Sequence, residues 1–107
     1  MAASTVEEIT INYEEEGVQL VKELDKEVLT KGGWTTIMFK YQELDKATNS
    51  FKATKISIRR YQKQNGEYKQ KSKFNISSVA QAKKVLEVLN KWTVDAGADD
   101  GDAGGED

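Results

Sequence analysis

Residues 54–76, TKISIRRYQKQNGEYKQKSKFNI, decide the fold class. Ile56 and Ile58 alternate with Lys55, Ser57, Arg59 and Tyr61, the period-two pattern of a strand with one apolar and one polar face. Gln64-Asn65-Gly66 follows at once, and Asn-Gly between two alternating runs favours a tight hairpin, because both central residues must take positive φ. Beyond the turn, Phe74 and Ile76 share one phase while Lys71, Lys73 and Asn75 share the other. Two antiparallel strands are therefore predicted.

Toward the N-terminus, residues 34–41 read WTTIMFKY, with Ile37, Phe39 and Tyr41 on one face and Trp34, Thr36, Met38 and Lys40 on the other. The run is rich in β-branched and aromatic residues and predicts a third strand, separated from the hairpin by the turn-rich residues 45–50. Earlier still the pattern is ambiguous. Val18, Leu20, Val21, Leu24 and Val28 fit a helix face, yet residues 24–29 also alternate as a strand would. Ile9, Ile11 and Tyr13 alternate briefly before Glu14-Glu15-Glu16-Gly17, so residues 1–17 read as an arm or an edge strand.

Toward the C-terminus, Ser78 with Gln81 three residues on forms a capping box, in which side chains satisfy the unpaired N–H groups that open a helix. Val79, Ala82, Val85, Leu86, Leu89 and Trp92 then make an apolar stripe opposite Lys83, Lys84, Glu87, Asn90 and Lys91. The expected architecture is α+β, a curved antiparallel sheet closed by one C-terminal helix. That helix is expected to cover Ile37, Phe39, Ile56, Ile58, Phe74 and Ile76 and to leave the other sheet face to solvent.

Charge is sorted along the chain. Residues 1–30 hold eight acids against Lys22 and Lys26; residues 31–94 hold fourteen bases against Glu43, Asp45, Glu67 and Glu87; residues 95–107 hold six acids and no base. The formal charge of −2 thus conceals a strongly basic segment between two acidic ones. Such a segment points to a polyanion. The expected free face presents Lys40, Lys55, Arg59, Lys71 and Lys73 among Trp34, Ser57, Tyr61 and Asn75. Cations interleaved with rings suit a single-stranded nucleic acid, whose phosphates need neutralising and whose unpaired bases can stack.

Other classes lose ground on composition. The chain has neither cysteine nor histidine, which removes disulfides, thiolate nucleophiles, the usual general base and the commonest metal ligands. No Gly-rich phosphate loop or positioned carboxylate pair is present, so no catalytic residue, metal or cofactor is assigned and a non-enzyme is expected. No apolar run reaches the roughly 18 residues of a membrane span, and MAASTVEEIT lacks the basic start and apolar stretch of a signal peptide. A soluble intracellular protein is expected, in cytoplasm or nucleoid, or in host cytoplasm if phage-encoded.

The run Ile56-Ser-Ile-Arg-Arg-Tyr61, the turn Asn65-Gly-Glu-Tyr-Lys69, the basic strand Lys71-Ser-Lys-Phe-Asn-Ile76 and the helix Ser78 to Trp92 together resemble the positive cofactor four family of transcriptional coactivators and its bacterial and phage relatives. The resemblance spans about residues 24–93. It implies a Whirly-like, four-stranded antiparallel sheet with a C-terminal helix, a dimer made largely through that helix, and single-stranded DNA on the sheet. The first strand would then be Leu24 to Thr30. Arg59 falls on the family's strand arginine, Phe51 and Lys52 near its aromatic and basic pair, Lys69 on the lysine after the turn, and Lys71 or Lys73 on its basic pair. Gln62 stands where the coactivators often carry Trp, and the Pro-Gly of the fourth strand is missing. The chain is also similar to a single repeat of the purine-rich-element-binding family, which has a like order of strands and helix and binds single strands.

These readings give an acidic arm over residues 1–23, a nucleic-acid-binding domain over 24–93 and a disordered acidic tail over 94–107 that competes for the basic face or recruits a basic partner. A homodimer with Val85, Leu89 and Trp92 at its interface is expected, because so small a domain gains from sharing a core. RNA, or an acidic protein, is the alternative ligand.

Overall fold

A computed structural model describes residues 3–94. After a 3-10 turn at Val6–Glu8, the strands are β1 (Tyr13–Glu15), β2 (Val18–Thr30), β3 (Trp34–Asp45), β4 (Ser50–Phe51), β5 (Lys55–Gln64) and β6 (Glu67–Ile76), followed by helix α1 (Val79–Thr93). All pairings are antiparallel, in the order β1-β2-β3-β5-β6, with β4 paired to the end of β3. The described residues are thus α+β with a curled sheet and one C-terminal helix, and among them six strands replace the four that the resemblance implied.

Local chemistry accounts for the joints. Asn65 and Gly66 both have positive φ, 52° and 79°, which gives the β5–β6 turn the twist that matches right-handed strands. Glu16 and Gly17 do the same for β1–β2, with φ of 51° and 80°. At the helix start the Ser78 hydroxyl accepts from Gln81 N at 3.0 Å, while Gln81 Oε1 accepts from Ser77 N at 2.9 Å. The reciprocal bond of the box therefore reaches Ser77, one residue earlier than expected.

Strand β2 begins at Val18, six residues before the expected Leu24, and its pairing with β3 slips twice, between Glu23 and Asp25 and between Val28 and Thr30. Leu24 and Leu29 sit at these bulges without a partner on β3. A bulge resets the alternation of a strand by one residue. This is why the period-two signal of residues 18–30 was blurred into one that also fitted a helix.

The cross-strand register corrects the expected core. Ile37 lies opposite Arg59, Phe39 opposite Ser57 and Tyr41 opposite Lys55, whereas Met38 lies opposite Ile58 and Lys40 opposite Ile56. Directly opposed residues of an antiparallel pair share a face. Ile37 and Phe39 therefore lie on the opposite face from Ile56, Ile58, Phe74 and Ile76, and one helix cannot cover both sets. On the first face Ile37, Phe39, Tyr41 and Tyr61 are sealed instead by Val6, Ile9 and Ile11. The N-terminal arm supplies the missing half of the core.

That arm crosses the first face from one sheet edge to the other. It enters β1 at Tyr13, while at its far end Ala3 bridges Tyr68 of β6, with Tyr68 N donating to Ala3 O at 2.8 Å. Lys26 reaches up from β2 and its Nζ donates to the carbonyls of Val6, Glu7 and Ile9 at 2.9, 3.3 and 2.6 Å. Glu23 accepts from Thr10 Oγ1 and Ile11 N, and the Asn12 side chain accepts from Glu23 N. A charged lysine satisfying carbonyls at a turn end is a strong local tie. Lys26→Met is expected to destabilise the fold by about 1.5–3 kcal/mol in urea unfolding, the worth of a charge-assisted hydrogen bond, and to speed amide exchange at Tyr68. An unchanged urea midpoint would show that the arm is held by its apolar contacts alone.

Helix α1 meets the sheet mainly at β5 and β6 and buries none of its own residues. Ala82, Val85 and Val88 are half-buried, while Val79, Leu86, Leu89 and Trp92 are exposed. No helix among the described residues is long and apolar enough to cross a membrane.

Candidate nucleic-acid interface

Next to the arm, the first face ends in a cluster of cations from β5, β6 and the segment between β4 and β5, with Glu43 of β3 among them. Arg59 and Lys73 are directly opposed across the β5–β6 pair, and Ser57 is opposed to Asn75 beside them. Ser57 is fully buried; its hydroxyl donates to Asn75 Oδ1 at 2.7 Å and accepts from Arg59 Nε at 3.0 Å, while Arg59 Nη1 donates to Gln70 Oε1 at 3.1 Å. Neutral oxygens therefore fix the guanidinium and leave its charge uncancelled by them. Lys55, on the same face opposite Tyr41, donates to Glu43 Oε1 at 2.8 Å.

Glu43 is the counter-charge of the cluster. The hydrogen bond from Lys55 holds its carboxyl below the usual range, against the effect of partial burial, and Lys55, Lys52 and Lys73 add attraction. The same hydrogen bond raises Lys55. Among the described residues, three cations (Lys52, Lys55 and Lys73) thus act on the Glu43 carboxylate, and Arg59 stands directly opposite one of them, Lys73. Like charges placed directly across a strand pair repel, so the Arg59–Lys73 pairing opposes folding unless an anion answers it.

Of the sequence-predicted residues, Lys52, Lys55 and Lys73 gather about Glu43 and Arg59 opposes Lys73, whereas the others lie apart from them. Tyr61 is on this face but only 6% exposed beneath the arm, and burial raises its phenol, so it is not an open stacking platform. Trp34, Lys40 and Lys69 lie on the second face, where Trp34 and Lys69 both oppose Gln62 and Lys40 opposes Asp25 as well as Ile56. Phe51 is opposed to Leu44 and carries Lys22 Nζ 5.1 Å above its ring centre. Lys71 stands at the bulge where β6 slips between its partners Arg60 and Tyr61 on β5, so it belongs to the edge. On α1, Val85 is half-buried whereas Leu89 and Trp92 are open.

Sequence reasoning missed Glu43 and Gln70 on the first face and Arg60 on the second. The Arg60 guanidinium lies 4.5 Å from the Trp34 ring centre. Two adjacent arginines in a strand must point to opposite faces, so the dipeptide Arg59-Arg60 held that signal. The acidic tail, residues 95–107, lies outside the described residues. Searches of family models, curated proteins and solved structures found no match to this chain.

Proposed function

We propose that this chain is a non-enzymatic single-stranded DNA-binding protein, acting in transcription, replication or repair, that holds the phosphate backbone on Lys52, Lys55, Arg59 and Lys73 and works as a homodimer through α1. The observation that carries this reading is the direct opposition of Arg59 and Lys73 across the β5–β6 pair, with Lys73 sharing the Glu43 carboxylate with Lys52 and Lys55. A polyphosphate strand turns that repulsion into binding energy. The cluster lies on a sheet and not on a helix that could enter a major groove, which favours a flexible strand over a duplex.

The test is an anisotropy titration with single-stranded DNA, duplex DNA and RNA of one length over a range of salt. Neutralising three to four phosphates gives a log–log slope of about −2 to −3 on single strands, hence a loss of about 20- to 60-fold between 50 and 200 mM salt. Arg59→Ala is expected to weaken binding about ten-fold or more, the worth of a charged hydrogen bond, while thermal unfolding stays cooperative. A flat salt response sinks the reading, equal affinity for duplex removes the single-strand claim, and tighter binding of RNA reassigns the ligand.

A further inference from the structure

We infer that the two edges of the sheet are complementary, and that copies of this chain join head to tail, β6 of one against β2 of the next, when they sit side by side on one strand of DNA. The inference rests on the nucleic-acid reading above and adds to it a contact between copies that is separate from α1.

Both edges are open. Among the described residues β6 is met on its outer side only by the Ala3 bridge at Tyr68, and residues 69–75 are all exposed. At the other end of the sheet β1 covers β2 over residues 18–21, and the Asn12 side chain accepts from Glu23 N. Past that point no described strand lies beyond β2, and Lys26 N turns instead to the carboxylate of Asp25, at 2.8 Å. Unpaired N–H and C=O groups along an edge are a template for another strand.

Charge decides which strand. The β6 edge carries Lys69, Lys71 and Lys73 in seven exposed residues without an acid. The β2 edge carries Asp25 and Glu27, both exposed, and β1 beside it adds Glu14 and Glu15. Lys26, the base between the two acids of β2, is turned to the arm carbonyls. Two β6 edges, or two β2 edges, would set like charges against each other, which deters either edge from pairing with itself. Head-to-tail pairing meets the opposite sign at every junction. Glu67 pairs with Lys69 at 3.7 Å, but both side chains are about half-exposed and a carboxylate of the next copy can take its place.

Topology supplies the direction. The pairs β2–β3, β3–β5 and β5–β6 are all antiparallel, so β6 runs opposite to β2. A copy displaced along the sheet, with the same face outward, therefore sets its β2 antiparallel to the preceding β6. Faces match as well: Lys69 opposes Gln62, which opposes Trp34, and Glu27 opposes Met38 in the same phase of β3. Setting Glu27 against Lys69 brings Asp25 to the bulge at Lys71. Successive Arg59 clusters then lie on one continuous face, about 19 Å apart, four strand spacings. Ala3 and Asn12 keep the junction short. So short a pairing is marginal alone and is supported when one strand of DNA holds two copies at high effective concentration. A head-to-tail contact of this kind repeats along the strand where a two-fold contact closes.

The test is a mobility-shift titration of the full chain with oligothymidylates of about 15 nucleotides, one domain's reach, and about 60 nucleotides. Two charge-reversed variants are compared with the parent: Lys69→Glu with Lys71→Glu, and Asp25→Lys with Glu27→Lys. With the parent, sub-saturating protein should divide the long oligomer into bare and fully covered populations. Either variant alone sets like charges at each junction and should lower this cooperativity about ten-fold or more, while still binding the short oligomer. An equimolar mixture of the two should restore it, because every junction again pairs acid with base. The single changes Lys71→Glu and Asp25→Lys, run alongside, ask less of the fold and should show a smaller loss with the same rescue. Variants as cooperative as the parent, or a mixture that stays non-cooperative, overturn the junction and spare the function. A parent that binds neither oligomer overturns the nucleic-acid reading. The junction is then decided without DNA, by adding the second double variant to the nitrogen-15-labelled first at high concentration: amide shifts over residues 69–75 uphold it and their absence overturns it.

Discussion

Phe39→Ala is expected to remove most of the protein's stability at 25 °C. The ring is fully buried between the arm and the sheet, in one cluster with Val6, Ile9, Ile11, Ile37, Tyr41 and Tyr61. Removing such a ring costs about 3–5 kcal/mol in lost transfer energy and residual cavity, against a total stability of about 5–15 kcal/mol for ordinary domains. A chain this small sits toward the lower end. The neighbours also limit relaxation, because Ser57 directly opposite is held by Asn75 and Arg59 and cannot move into the gap without breaking those bonds. Urea unfolding followed by circular dichroism reads the outcome. An unfolding free energy within about 1 kcal/mol of the parent's would mean that the arm is not part of the cooperative unit. Ile58→Ala, at a half-buried position on the second face, should cost clearly less than the 2–5 kcal/mol of a fully enclosed aliphatic side chain.

The contrast between these two positions shows what alternation can convey. Within β3 and within β5 the polar and apolar phases were legible, since period two is a property of each strand alone. Which phase of β5 faces the same way as Ile37 and Phe39 depends on the length of the loop between them and on the pairing it imposes, and no residue pattern encodes that directly. Apolar residues on both faces of the sheet made the wrong answer self-consistent: Ile56, Ile58, Phe74 and Ile76 looked like the natural companions of Ile37 and Phe39. Their place is taken by Val6, Ile9 and Ile11 of the arm, whose signal was too short to read as core. The hairpin at Asn65-Gly66 and the Ser78 cap were legible because turn and cap chemistry is local. Of the cations expected on one face, Lys55, Arg59 and Lys73 share it because they lie in one hairpin, whereas Lys71 falls at the β6 bulge and Trp34 and Lys40 go to the other face with the phase of β3.

The second large effect concerns α1. Leu86, Leu89 and Trp92 are 66, 52 and 72% exposed, and Phe74 on β6 is 56% exposed, a density of open apolar surface that a lone domain has reason to hide. Pairing two helices across a two-fold axis would bring six such side chains together, each worth about 1.5–3 kcal/mol when fully buried, enough to outweigh the lower part of the roughly 4–15 kcal/mol that association costs. Leu89→Glu would place a carboxylate from each copy in that contact without a partner, several kcal/mol against it. Light scattering is therefore expected to give twice the 12.0 kDa chain mass for the parent and a single chain for Leu89→Glu, with helix content kept because the Ser78 cap is untouched. A monomeric parent, or a dimeric variant, removes α1 as the interface. If the assignment holds, the variant also separates two contributions to binding. Each Arg59 cluster survives in the monomer, so affinity for a strand too short to reach both copies is retained, whereas a strand long enough to span the dimer loses the second, intramolecular contact and with it about 10²-fold or more in avidity.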